Sequence, residues 1–277
     1  MFLTIYKSTF FNIFRSIVFW LTLAVISVIT VYGALNGYYL GDNDPSFVLD
    51  YKDYVQCVIN SCVSDILLYS MPIFAIVSVV LVINNDYTNG FFEIEKAANI
   101  KPSKYFFARF LSISSINLIV LIIMHFLCLH LYIFTRGGVN DMKWSEYFID
   151  SFVRMIRIDL LVAMPCILFY IAITYVIGTI FKNGIAAAIS SMGYVVLFYV
   201  LQLMFRHRIA PVYFDYLSPI PRKLRQYFHY YDTEWFEELL NMQNTSLYDA
   251  LICILFLLCI VVVCSLVSYL RIRKRSV

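Results

Sequence analysis

Residues 251–275 read LICILFLLCIVVVCSLVSYLRIRKR. No side chain from Leu251 to Leu270 is charged, and Arg271, Arg273, Lys274 and Arg275 follow at once. An uncharged apolar run of this length can cross the hydrocarbon core as one helix. A basic cluster directly after such a run is the usual cytoplasmic anchor. The stretch therefore puts the chain in a bilayer and its C-terminus on the inner side.

Composition agrees. Of 277 residues, 61% are hydrophobic and 14% charged, against about 45–50% and a quarter in a soluble domain. Apolar blocks of spanning length recur along the chain. The expected fold is all-α, a single transmembrane domain over 1–277 with six transmembrane helices at 17–39, 66–84, 106–134, 158–181, 185–205 and 247–270. The first run is too long for a signal-peptide core, and no small-residue cleavage site follows it, so it reads as a span. Pro72 and Pro165 fall inside spans two and four and suggest kinks there. No internal repeat or low-complexity tract is visible.

With both termini cytoplasmic, eleven basic residues lie inside against Asp86, Glu93 and Glu95, while ten basic and fifteen acidic residues lie outside. The Lys/Arg count is nearly even, so the orientation rests mainly on the basic run after span six. Both termini are expected in the cytoplasm of a cell with this chain in its plasma membrane. Cys128, Cys166, Cys253, Cys259 and Cys264 fall within spans, where cysteine packs as a small apolar residue. Cys57 and Cys62 share the first outer loop; on a helix their spacing would hold them too far apart for a disulfide.

Residues 1–16, MFLTIYKSTFFNIFRS, are amphipathic. Phe2, Leu3, Tyr6, Phe10, Ile13, Phe14 and Ile17 share one side, with Thr4, Lys7, Ser8, Asn12, Arg15 and Ser16 opposite and Ile5 and Phe11 out of pattern. Such a helix lies in the membrane interface, or else extends span one into the cytoplasm. Spans four and five are joined only by Lys182-Asn183-Gly184, which forces an antiparallel helical hairpin. Small residues four apart on span five, Ala186 with Ser190 and Ala187 with Ser191, permit close helix approach. Segment 206–246 is rich in aromatics and carries two short amphipathic stretches, and it is expected to re-enter the outer leaflet.

Several chemistries are excluded or disfavoured. No Asp, Glu, Lys or Arg is expected deep in a span, where a secondary transporter holds its coupling ion. His125 and Cys128 share a helical face, but a packed histidine explains them more simply than a metal site. Glu237 and Glu238 are paired without a basic or histidine partner, so no catalytic residue is assigned. No phosphate-binding loop is present, so ATP-driven work would need a second chain. Nothing suggests nucleic-acid binding.

The remaining anomaly is NNDYTNGFFEIEKAANIKPSKYFFARF, residues 84–110. It is far longer than a turn between spans two and three. Asn89 and Gly90 suit a cap and turn, 91–100 is helix-patterned, and Lys101-Pro102 stops it. Phe91, Ile94 and Ala98 fall on one side; Glu93 favours the helix dipole near the N-terminus. The product is a short polar helix with an apolar tip, fitted to a partner groove or, equally on these grounds, to lying on the membrane surface.

This layout, with the local string Asp86, Tyr87, Asn89, Gly90, Glu93, Pro102, Ser103 and Arg109, resembles the type-2 permeases of ABC exporters. The likeness in topology covers nearly the whole chain, and the motif about 25 residues. The resemblance implies that 86–104 is a coupling helix docking on a separate ABC ATPase subunit through Phe91, Glu93, Ile94 and Ala98. It implies a second coupling loop at Lys182, Asn183 and Gly184, and a substrate path along spans two and five, for which Phe74, Ser78, Met192 and Tyr199 are candidates. It implies a second permease chain, the same or related, and ATP and Mg on the partner ATPase with no cofactor on this chain. The alternative is a non-transporting membrane scaffold or sensor.

Overall fold

The computed structural model describes residues 1–41, 68–90, 93–94, 97–135, 163–204 and 247–276. Phe91, the Cys57–Cys62 pair and the 206–246 segment lie outside the described residues. Every regular element described is a helix: α1 (Phe2–Arg15), α2 (Ile17–Gly41), α3 (Leu68–Thr88), α4 (Pro102–Thr135), α5 (Met164–Phe181), α6 (Gly184–Met204) and α7 (Leu247–Ser276).

Among the described residues, four helices contain stretches long and apolar enough to cross a membrane: Ser70–Tyr87, Pro102–Met124, Met164–Phe181 and Leu251–Lys274. The bent pair α1–α2 makes a fifth if counted as one span, and the apolar stretch Gly184–Leu197 on α6 is shorter. Their outer faces are apolar too. Leu111, Ile119 and Ile123 on α4, Ile185, Ile189 and Val196 on α6, and Leu255, Val262 and Leu266 on α7 are all exposed. In water such stripes would drive aggregation, whereas lipid tails solvate them without cost. The chain is a multi-pass membrane protein.

At the centre, α5 packs on α3, α4, α6 and α7, and α3 also meets α2, α4 and α6. The core holds Phe74, Ile76, Ile83, Phe106, Phe169 and Tyr175, all essentially inaccessible. Three polar side chains in this core turn back on their own helices. Ser78, Ser114 and the amide of Asn117 each donate to the carbonyl four residues earlier, at 2.8–2.9 Å, which lowers the cost of carrying them in an apolar medium. Pro72 lies inside α3 and Pro165 in the first turn of α5. At a first turn proline costs little, because its missing N–H has no intrahelical partner there.

The first helix departs from its sequence pattern. Its buried residues are Ile5, Thr9 and Ile13, a stripe at four-residue spacing, and α1 packs chiefly on α4. Ile5, out of pattern in the sequence, is in the core, while Leu3 and Ile17 are exposed. Thr9 is tolerated because its hydroxyl donates to the Ile5 carbonyl at 2.8 Å. The amphipathic pattern weighed hydrophobicity, but contact with α4 selects shape: a narrow stripe fits between neighbours where broad aromatic rings do not. The rings line the corner into α2 instead. Ser16 is extended at φ −73°, ψ 128°, the two helices meet at 65°, and Phe10, Phe14 and Phe19 follow one another at 5.0 and 4.9 Å. Trp20 locks the corner by donating its indole N–H to the Phe14 carbonyl at 2.8 Å.

Candidate functional site

The link between α3 and α4 and the hairpin between α5 and α6 lie at the same end of the bundle. Contacts between their roots show it. A side-chain carbon on Gly184 would stand 3.3 Å from Val80 Cγ1 and 3.2 Å from Asn84 Oδ1. On Gly178 it would collide with Ile83 Cδ1. Glycine at both positions lets the last turns of α3 and α5 and the first turn of α6 come together at van der Waals distance.

The hairpin is tightly made. Lys182 closes α5 in the left-handed conformation, φ 55°, ψ 21°, with its N–H on the Gly178 carbonyl at 2.9 Å. Only glycine and asparagine adopt that conformation cheaply, so lysine here carries about 1 kcal/mol of strain. Asn183 then caps α6, its Oδ1 accepting from the Ile185 N–H at 2.8 Å and the Ala186 N–H at 3.4 Å. That is the standard N-cap arrangement, and it fixes where α6 begins.

In the first link, Gly90 turns the chain with φ +68°. Glu93 and Ile94 both donate to its carbonyl, at 3.1 and 3.2 Å, and Ala98 donates to the Ile94 carbonyl at 3.0 Å. These are helical bonds. Asn99, at φ 53°, then ends the turn in the left-handed conformation, so the short helix stops at Asn99 and not at Lys101. Glu93, Ile94 and Ala98 are exposed, Ile94 to 62%. Ile94 is thus an exposed apolar side chain on a turn held by three hydrogen bonds.

Beneath the link lies a feature the sequence reading did not assemble. Asp86, in the last turn of α3, and Arg109, two turns into α4, form an ion pair at 2.6 Å with both side chains only 5% exposed. Tyr105, one turn before Arg109, lies under the guanidinium with its ring centre 4.4 Å from Cζ, a cation–π contact. From α5, Tyr175 meets Phe106, the residue after Tyr105, edge-on at 5.5 Å. In the span reading Asp86 fell just past the end of span two and Arg109 just inside the start of span three. The helices run further than the apolar blocks, α3 to Thr88 and α4 from Pro102, and both charges are enclosed. The available signal was two opposite charges flanking one short link, with a tyrosine four residues before the arginine.

The other candidates are dispersed. Phe74 is wholly enclosed, with Phe19 edge-on at 5.3 Å, and Ser78 is buried beside it on α3. Met192 is half-buried against the core from α6, and Tyr199 lies further along that helix. Among the described residues, no three His, Cys, Asp or Glu side chains converge on one point. Neither a protein-family model nor a curated protein matches the chain.

Proposed function

We propose that the chain is the membrane-spanning permease subunit of an ATP-driven ABC exporter, with six spans and both termini cytoplasmic. In this reading ATP and Mg²⁺ are held by a separate ATPase subunit, and a second permease chain completes the substrate path. The observation that supports it is the helical turn at 93–98, which presents Ile94 outward beside a second, rigidly capped loop. Two short protrusions at one end of a membrane bundle, one apolar-tipped and one rigid, suit the transfer of motion from a soluble motor. The path itself is assigned to α3 and α6, with Phe74, Ser78, Met192 and Tyr199 as candidates. The aromatic content, 24 Phe and 22 Tyr, suits amphipathic cargo and a lipid-facing surface equally.

The test is co-purification with a nucleotide-binding ATPase subunit. Truncating an anchor of the size of Ile94 in a docked interface costs about 1–2 kcal/mol, roughly a tenfold loss of affinity. Ile94→Ala should lower ATPase recovery in detergent by that factor, Phe91→Ala by at least as much, and neither should change permease abundance. Unchanged recovery for both would overturn the reading and favour a scaffold or sensor. Orientation is checked in a cysteine-free background. A membrane-impermeant thiol reagent applied from outside should label Asn140→Cys and spare Ala97→Cys; the reverse pattern would invert the topology.

A further inference from the structure

The two protruding links have four roots: the ends of α3 and α5 and the starts of α4 and α6. Three independent contacts tie these together. Arg109 of α4 is paired with Asp86 of α3 at 2.6 Å and stacked on its own Tyr105 at 4.4 Å. Phe106 of α4 meets Tyr175 of α5 at 5.5 Å. Ile83 of α3 fills the notch at Gly178 of α5, and Val80 and Asn84 of α3 stand against Gly184 of α6. Each contact is of a kind that does not slide. An enclosed ion pair resists separation in a low-dielectric medium, and a side chain in a glycine notch meets backbone on either side.

We propose that Asp86, Arg109, Tyr105, Phe106 and Tyr175 form a buried hub that makes the turn carrying Glu93, Ile94 and Ala98 and the 182–183 hairpin move as one body. A force on the exposed turn at 93–98 then reaches the hairpin through the hub without rearranging either loop. These are positioning residues: they touch neither a motor nor a substrate. Their use in transport rests on the permease reading, but the coupling is a property of this chain alone.

The test therefore uses the full chain by itself, in lipid nanodiscs without any ATPase, with amide hydrogen exchange as the readout. The turn reports through the amides of Glu93, Ile94 and Ala98, and the hairpin through those of Lys182, Ile185 and Ala187, all hydrogen-bonded. Asp86→Asn removes the charge and keeps the shape. It should speed exchange in both links by a similar factor, on the order of tenfold, while leaving α7 around Leu257 unchanged. Tyr105→Phe should do the same more weakly, and it serves alone if Asp86→Asn does not accumulate. Faster exchange in the first link only would overturn the proposal, as would a uniform rise that includes α7. Loss of ATPase recovery with Ile94→Ala would be unaffected by either result, so the two readings fail separately.

Discussion

Replacing Arg109 with leucine is expected to destabilise the folded protein by about 3–5 kcal/mol, because it leaves the Asp86 carboxylate enclosed without a counter-charge. The size follows from the burial. A surface pair would be worth about 0–1 kcal/mol, but here both side chains are 5% exposed, so water cannot reach the orphaned acid without opening the α3–α4 contact. Arg109→Lys should fall in between, since lysine keeps the charge but loses the flat face that stacks on Tyr105. The informative variant is double. Asp86→Leu with Arg109→Met removes both ions and should return stability to within about 1 kcal/mol of the parent, or above it, because two desolvation costs vanish with the attraction. Thermal unfolding in detergent, read by retention of the monodisperse protein, measures all four. If the double variant is no more stable than Arg109→Leu, the pair is not what holds these two helices.

Gly178→Ala is the second large effect. In an exposed helix this change would gain about 1 kcal/mol, since glycine is the poorer helix former. Here the added methyl would overlap Ile83 Cδ1 and stand 3.0 Å from its Cγ1. Ile83 is itself enclosed in the core, so it has no empty space to move into. Overpacking of this kind costs about 1–3 kcal/mol, and with direct overlap the upper figure applies, leaving a net loss of about 2 kcal/mol. Ile83→Val removes the colliding carbon. Gly178→Ala with Ile83→Val should therefore be more stable than Gly178→Ala alone, although Ile83→Val by itself costs about 0.5–1.5 kcal/mol. The same unfolding assay reads the cycle. Additive losses would show that the notch is not a tight contact.

The sequence by itself determined that this is a helical, multi-pass membrane protein. Apolar runs of spanning length have no other stable use, and backbone polar groups in lipid leave helices as the economical solution. It also located the hairpin at Lys182-Asn183-Gly184, because so short a link between two apolar runs leaves only an antiparallel pair, and the helical turn after Gly90, because Asn and Gly suit a cap and turn. Only the tertiary structure decided which face of α1 is buried. The hydrophobic pattern favoured its aromatic side, but the groove on α4 takes the slimmer Ile5, Thr9 and Ile13. Only the tertiary structure brought Asp86 to Arg109. Asp86 sits just beyond one apolar block and Arg109 just inside the next, and neither position tells what faces it. Burial depends on what the neighbouring side chains cover: Tyr105 lies under the Arg109 guanidinium, and Tyr175 of α5 packs on the adjoining Phe106. Likewise glycines 178 and 184 are ordinary in the sequence, and become contacts only because Ile83 and Asn84 of another helix arrive opposite them. Periodicity and turn chemistry are local and can be read along the chain, whereas enclosure belongs to pairs of residues far apart in it.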